Sequence, residues 1–138
     1  PNEALRAALG NLIKNYRYII IDTPAGLEHL NRRITTRVND IFDLIDPSLK
    51  SFEHVARAYR IAKEVNIKFD NFYVIGGFRF PEKLGNKVES RLGLRFLGKI
   101  AFDENVEDFV LSGRSLLEIP EDSPAYRSVK EILAKAGY

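Results

Sequence analysis

The sequence has 138 residues and a mass of 15.7 kDa, a length that predicts a single domain over residues 1–138. With 45% apolar and 29% charged residues it has globular composition, and disorder, collagen and disulfide scaffolds are excluded. It has no cysteine, two histidines (His29 and His54), a net charge of +2 and no apolar run near the ~20 residues that span a bilayer, which excludes thiolate metal sites and disfavours a self-contained zinc site.

Residues 2–14 read as a helix, because Leu5, Ala8, Leu9, Leu12 and Ile13 recur at three- and four-residue spacing. The β-branched run Ile19-Ile20-Ile21, ending at Asp22, predicts a strand buried on both faces of a parallel sheet. Thr23-Pro24-Ala25-Gly26 is a turn or loop, and residues 27–37 read as a polar helix with Leu30 and Ile34 on one side. A second strand over 41–46 is closed by Pro47 and Ser48. A long helix then runs to about Asn66 with Phe52, Val55, Ala56, Tyr59 and Ala62 on one stripe. The third strand, 72–75, ends at Gly76-Gly77; a helix over 81–92 stops at Gly93. A fourth strand spans 96–102, followed by a short acidic helix over 104–111 and a loop over 120–123. Pro124 opens a last helix whose apolar stripe is Tyr126, Val129, Ile132 and Leu133. Helix and strand alternate, so the predicted fold is α/β, a parallel sheet flanked by helices on both faces, with no repeat and no interdomain linker.

The charges are unevenly placed. Residues 50–99 hold eleven Lys and Arg against five acids, and residues 103–122 hold seven acids against Arg114 alone. A basic middle can attract phosphates or an acidic partner. Charges alternating with apolar positions also fit plain solvated helix faces, and no Arg- or Lys-rich block supports nucleic-acid binding. No charged-then-apolar leader opens the sequence, which reads as cytoplasmic. The chain begins at Pro1 and has no methionine, as initiator removal or a longer parent chain would give.

Ligands of parallel α/β sheets bind beyond the carboxyl ends of the strands. The residues there are Asp22 to Gly26, Asp46-Pro47-Ser48, Gly76-Gly77-Phe78-Arg79 and Asp103-Glu104-Asn105. An acid at a strand end can hold the water shell of Mg²⁺, or simply form a turn. Gly26 leaves its N–H open to a phosphate. Gly76-Gly77 can cradle a phosphate or end a strand, and Arg79 can stack on a base. His29 reads as a switch or partner-contacting residue, and His54 as solvent-facing. The last helix is short and mixed in charge, which favours core packing over membrane attachment.

The stretch Ile19-Ile20-Ile21-Asp22-Thr23-Pro24-Ala25-Gly26-Leu27-Glu28-His29-Leu30-Asn31-Arg32 resembles the Walker B and switch II segment of the MinD and ParA superfamily of deviant P-loop ATPases. Its Glu28-to-Arg32 continuation is most similar to the CooC-type carbon monoxide dehydrogenase accessory proteins, which are nickel-insertion ATPases. The resemblance continues through Val38-Asn39-Asp40-Ile41-Phe42, Asp46 to Ser51, Leu97 to Asp103, Gly113-Arg114-Ser115-Leu116 and Ser123-Pro124-Ala125-Tyr126, in the family's order. It implies the C-terminal half of a P-loop NTPase fold without the Walker A strand and loop, since no Gly-Lys-Thr or Gly-Lys-Ser occurs. The family's Walker A strand would stand between the strands at 19–22 and 41–45.

What the resemblance implies for the site is as follows. Asp22 is the catalytic acid, ordering the water shell of Mg²⁺. By the same resemblance Asp22, Thr23, Gly26, Gly77, Arg79 and Asp103 would bind the nucleotide, and Glu28, His29 and Arg32 would be switch or partner-contact residues. ATP closes a homodimer, and the client is a metalloenzyme such as carbon monoxide dehydrogenase. Three departures stand out: Walker A is missing, Gly76-Gly77 replaces an adenine-reading Asn, and Ala101 replaces a Pro. The accessory proteins' Cys-x-Cys pair would fall upstream of Pro1, so this chain holds no metal ligands for nickel. The rival reading is a non-catalytic module that binds a protein or, in the manner of ParA, DNA.

Overall fold

A computed structural model describes residues 2–23 and 37–138. The elements in chain order are α1 (Asn2–Asn15), β1 (Asp40–Ile45), α2 (Leu49–Glu64), β2 (Asn71–Gly76), a 3-10 turn (Glu82–Leu84), α3 (Gly85–Leu92), β3 (Arg95–Lys99), α4 (Glu104–Ser112), a second 3-10 turn (Leu116–Glu118) and α5 (Pro124–Ala136). They divide into two compact units, Pro1–Asp40 with Arg57–Asn71, and Ile41–Ala56 with Phe72–Tyr138. Among the described residues no helix is long and apolar enough to cross a membrane.

In the first unit, α1 forms as its periodicity predicts, yet Leu12 and Ile13 on its stripe are exposed. Arg37 and Lys68 make a parallel bridge, and the Val38 N–H donates to the Lys68 carbonyl at 2.9 Å. The Asp70 carboxylate accepts from Arg37 at 3.5 Å and from Asn39 at 3.3 Å. Ile67 is buried, and Phe69 meets Tyr59 edge-on with centroids 6.1 Å apart.

The expected strand at 19–22 is a correction. These residues lie in no helix or strand; Ile20 is 95% exposed, and Ile19, Ile21 and Asp22 are exposed as well. Asp22 therefore does not close a buried strand. An apolar run becomes a strand only where another strand takes its N–H and C=O groups. The sheet of the described residues has three strands, in the order β1-β2-β3, so β1 is an edge.

The second unit is built on this parallel sheet. β2 is Asn71-Phe72-Tyr73-Val74-Ile75-Gly76, buried at every position after the first, as a central strand covered on both faces must be. It pairs in parallel with β3, and the register shifts between Val74 and Ile75, leaving Leu97 as the extra residue of a bulge. Side chains of a strand alternate in direction. Tyr73, Ile75 and Leu97 turn to one face and pack on Ile132 of α5, with Phe42, Ile100 and Ala136 beside them. Phe96 turns to the other face, where α3 lies on β3. That approach depends on Gly85, because a Cβ there would stand 2.8 Å from the Phe96 ring. Phe80 fills the same side, between Phe96 at 5.4 Å and Phe52 at 6.3 Å. Helices thus cover both faces.

Several boundaries follow their local signals. Gly93 ends α3 in the left-handed region, with its N–H on the Glu89 carbonyl. Ser123 caps α5, and Pro124 is its first residue. Three details differ from expectation. Ala56 is exposed and Ala58 is buried: the two lie on opposite flanks of the stripe formed by Phe52, Val55 and Ala62, and the flank of Ala58 is the covered one. The helix expected over 81–92 begins as a 3-10 turn. The fourth expected strand stops at Lys99, because the Ile100 N–H still reaches the Gly76 carbonyl at 2.8 Å but the Ala101 N–H goes to Ser128 Oγ at 3.0 Å. Of the last helix's expected stripe, Ile132 is buried, while Tyr126, Val129 and Leu133 remain partly exposed.

Candidate functional site

In the second unit the residues after each strand form a set of tied loops. After β1, Asp46 Oδ1 accepts the Ser48 N–H at 2.7 Å, and Ser51 Oγ accepts the Asp46 N–H at 3.0 Å. The Ser48 hydroxyl and N–H hold the Asp46 carboxyl below its ordinary range. On β1 itself, burial pushes the Asp43 carboxyl up, against the smaller pulls of His54 and the Leu44 N–H. His54 is exposed, as its place on the polar side of α2 predicts.

After β2, the Gly77 N–H donates to the Ile45 carbonyl at 2.9 Å, and the Gly77 carbonyl accepts the Phe80 N–H at 2.8 Å. Gly77 is therefore spent on joining the ends of β1 and β2, and its N–H is not free for a phosphate. Gly76 is required by packing, since a Cβ there would lie 2.9 Å from Cβ of Lys99 and from Cβ and Cδ1 of Phe80. The exposed Arg79 guanidinium stands 5.2 Å from the Phe78 ring centroid, and Lys99 Nζ donates to the Phe78 carbonyl at 3.3 Å. Phe78 and Phe102, from the loops after β2 and β3, meet with centroids 6.0 Å apart and both rings exposed. This pair was not anticipated from sequence. Its signal was an aromatic residue a few positions beyond each of two strand ends.

After β3, Asp103 is 5% exposed and serves two helices. Its Oδ1 accepts the Asn105 N–H at 3.0 Å and Asn105 Nδ2 at 2.9 Å, capping α4; its Oδ2 accepts the Ala125 N–H at 2.9 Å at the start of α5. Burial by itself raises this carboxyl, but the Ala125 N–H, the Ser123 hydroxyl and the Asn105 donors together hold it below its ordinary value. A depressed carboxyl stabilises the fold above its unfolded value, near pH 4, and that contribution disappears as pH falls through the lower folded value. Asp103→Asn is therefore expected to lower stability at pH 7 and to leave less further loss between pH 5 and pH 2. Urea unfolding of both proteins across that range checks it; parallel pH profiles would contradict the assignment.

Asp22 and Thr23 are exposed residues of the first unit. Gly26, Glu28, His29 and Arg32 lie outside the described residues. Among the described residues no three His, Asp or Glu side chains group as a metal site. Nor do the described glycines at the strand ends form a phosphate cradle, since Gly77 has given up its N–H and Gly76 is enclosed by side chains. The exposed ring pair and Arg79 do fit a planar ring, through stacking and cation–π contact.

No protein-family model matches the chain. It is 35% identical to the uncharacterized ATP-binding protein MJ0685 of Methanocaldococcus jannaschii, over 97% of this chain and 54% of that protein. It is 26% identical to the carbon monoxide dehydrogenase accessory protein CooC of Rhodospirillum rubrum, over 99% of this chain and 51% of that protein. The chain thus spans about half the length of the curated relatives it matches. Its fold is that of the MinD cell division protein of Aquifex aeolicus, with a TM-score of 0.75 and 19% identity over 99% of this chain and 60% of that one. A ParA family ATPase from Chlorobium tepidum TLS superposes with a TM-score of 0.71 and 20% identity, over 96% of this chain and 56% of that one. The chain is thus similar in sequence to ATP-binding proteins of the MJ0685 type and to CooC, and it has the fold of the MinD and ParA ATPases.

Proposed function

We propose that this chain is the C-terminal half of an ATP-hydrolysing domain that drives metal delivery, of nickel by analogy with CooC, to a metalloenzyme such as carbon monoxide dehydrogenase. The observation that carries the reading is the kinship with CooC over 99% of the chain. The phosphate loop and its lysine come from the other part of the whole protein. Bound ATP with Mg²⁺ supplies the phosphoryl group. With that group bound, the Asp22 carboxylate would hold the metal's water shell, with Thr23 beside it, and Gly26 would offer its N–H to the terminal phosphate. Glu28, His29 and Arg32 follow Gly26 and carry its movement to a second copy in an ATP-closed dimer. In the second unit Gly77 and Arg79 border the base, and Asp103 fixes the loop that carries Phe102. The setting of this activity is the cytoplasm.

Asp22→Ala in the whole protein is expected to lower ATP turnover on the order of 10²-fold while changing nucleotide affinity far less, because the acid acts on metal and water and not on the base. Phosphate release measured alongside nucleotide binding tests it, and unchanged turnover removes Asp22 from the site. One observation favours a second reading, a non-catalytic module that binds protein or DNA: the Gly77 N–H is already engaged. The coding sequence upstream of Pro1 separates the two, since a glycine- and lysine-rich loop there supports the ATPase.

A further inference from the structure

We propose that the outer edge of β3 is sealed by side chains of α3 and α5, and that Glu89, Lys135 and Ser128 keep the protein from pairing strand to strand with a second copy of itself. Among the described residues β3 is an outer strand of the sheet, with β2 as its one neighbour. Its inner side is fixed, since it pairs in parallel with β2 and the Ile100 N–H beyond it donates to the Gly76 carbonyl at 2.8 Å. The free side of an outer strand is a row of N–H and C=O groups on which another strand can build. Here side chains take groups that β2 leaves over. The Phe96 N–H donates to Glu89 Oε1 of α3 at 3.3 Å. The Leu97 carbonyl accepts Lys135 Nζ of α5 at 3.0 Å. Just past the strand, the Ala101 N–H donates to Ser128 Oγ of α5 at 3.0 Å.

The guards are themselves held. Lys135 is gripped at both ends, its carbonyl by the Arg95 guanidinium at 3.0 Å and its ammonium by the Leu97 carbonyl. The Ser128 hydroxyl donates to the Ala125 carbonyl at 2.8 Å, which leaves a lone pair for Ala101. The bulge adds a geometric bar. β3 advances two residues, Phe96 to Gly98, while β2 advances one, Val74 to Ile75, so the two-residue period of a regular edge is broken at Leu97. Gly98 follows at a φ of 133°, a conformation that residues with a side chain rarely adopt. An approaching strand would have to displace an exposed carboxylate and an exposed ammonium, each of which would lose a backbone partner. Bulges and charged side chains are means by which natural sheets avoid edge-to-edge pairing. The partner excluded is a second copy, because two β3 edges related by a two-fold axis would pair antiparallel and close as a dimer.

The test uses the whole protein without nucleotide, so that an ATP-closed dimer does not enter. Sedimentation reads the association, and amide hydrogen exchange reads its place. A Glu89→Ala, Lys135→Ala double variant is expected to associate at least tenfold more tightly than the parent, with its Phe96 amide becoming protected as concentration rises. Adding Ser128→Ala is expected to extend that protection to Ala101. Glu89→Gln with Lys135→Arg keeps an acceptor and a donor in place and is expected to behave as the parent. Lys130→Ala with Glu131→Ala, which removes the same two charges from exposed positions of α5, is expected to do so too. If the double variant does not fold, the single variants Glu89→Ala and Lys135→Ala decide by the same two readings. The proposal is overturned if the alanine variants associate no more than the parent, or associate without concentration-dependent protection at Phe96. It is equally overturned if the Lys130, Glu131 variant associates as tightly.

Discussion

Incubated by itself with ATP and Mg²⁺, the 138-residue chain is expected to release no phosphate above the buffer rate. Phosphoryl transfer in P-loop enzymes is positioning and charge stabilisation, and its central parts are a backbone cradle and a lysine on the β- and γ-phosphates. Neither Gly-Lys-Thr nor Gly-Lys-Ser occurs in the sequence. The one Gly-Gly pair at a strand end is committed, Gly77 through its N–H to Ile45 and Gly76 through its packing against Lys99 and Phe80. Among the described residues what remains is a stacking face and the exposed Asp22, which cannot hold a triphosphate. Nucleotide affinity of the chain alone is expected to be weaker than about 1 mM, or about −4 kcal/mol. Titration calorimetry reads this directly. Micromolar binding of ATP would place a phosphate site within these residues and refute the division of labour with the rest of the protein.

Phe80→Ala is expected to cost about 3–5 kcal/mol of stability, the range for emptying a buried aromatic site. Phe80 has 0% exposure and joins Phe52 of α2 to Phe96 of β3, so its removal opens a cavity between a helix and the sheet. The surroundings collapse poorly into that space, because Gly76 and Lys99 are held as paired positions of β2 and β3. Urea unfolding at neutral pH, with an unchanged slope and a lower midpoint, would match this account. A loss below about 1 kcal/mol would mean that the aromatic stack contributes little.

Much of the fold was legible because its signals act over a few residues. The run at 72–75 is apolar and β-branched or aromatic throughout, which suits a place between two other strands; β2 is central and buried. Ser123-Pro124 and Gly93 set helix ends through the backbone geometry of single residues. The same locality explains where reading stopped. Ile19-Ile20-Ile21 has the composition of an inner strand, but composition cannot supply the neighbour whose N–H and C=O groups a strand needs, and the run lies in no strand and is exposed. Ala56 was misplaced by part of a helical turn, which only packing resolves.

By itself, then, the sequence determined the alternation of elements from Asp40 onward, the parallel α/β class and the likeness to its relatives, because each is written in neighbouring residues. Only tertiary structure decided the roles of residues whose partners are distant in the chain. Asp103 reads as an acid at a strand end, and it came to join the cap of α4 to the first turn of α5 because Ala125, 22 positions on, turns its N–H toward it. Gly76-Gly77 reads as a possible cradle, and it became a packing necessity because Ile45, Phe80 and Lys99 converge there. Phe78 and Phe102 meet because β2 and β3 lie side by side. Contacts of this kind depend on the relative placement of whole strands and helices, which is set by the summed burial of many side chains and by no local motif.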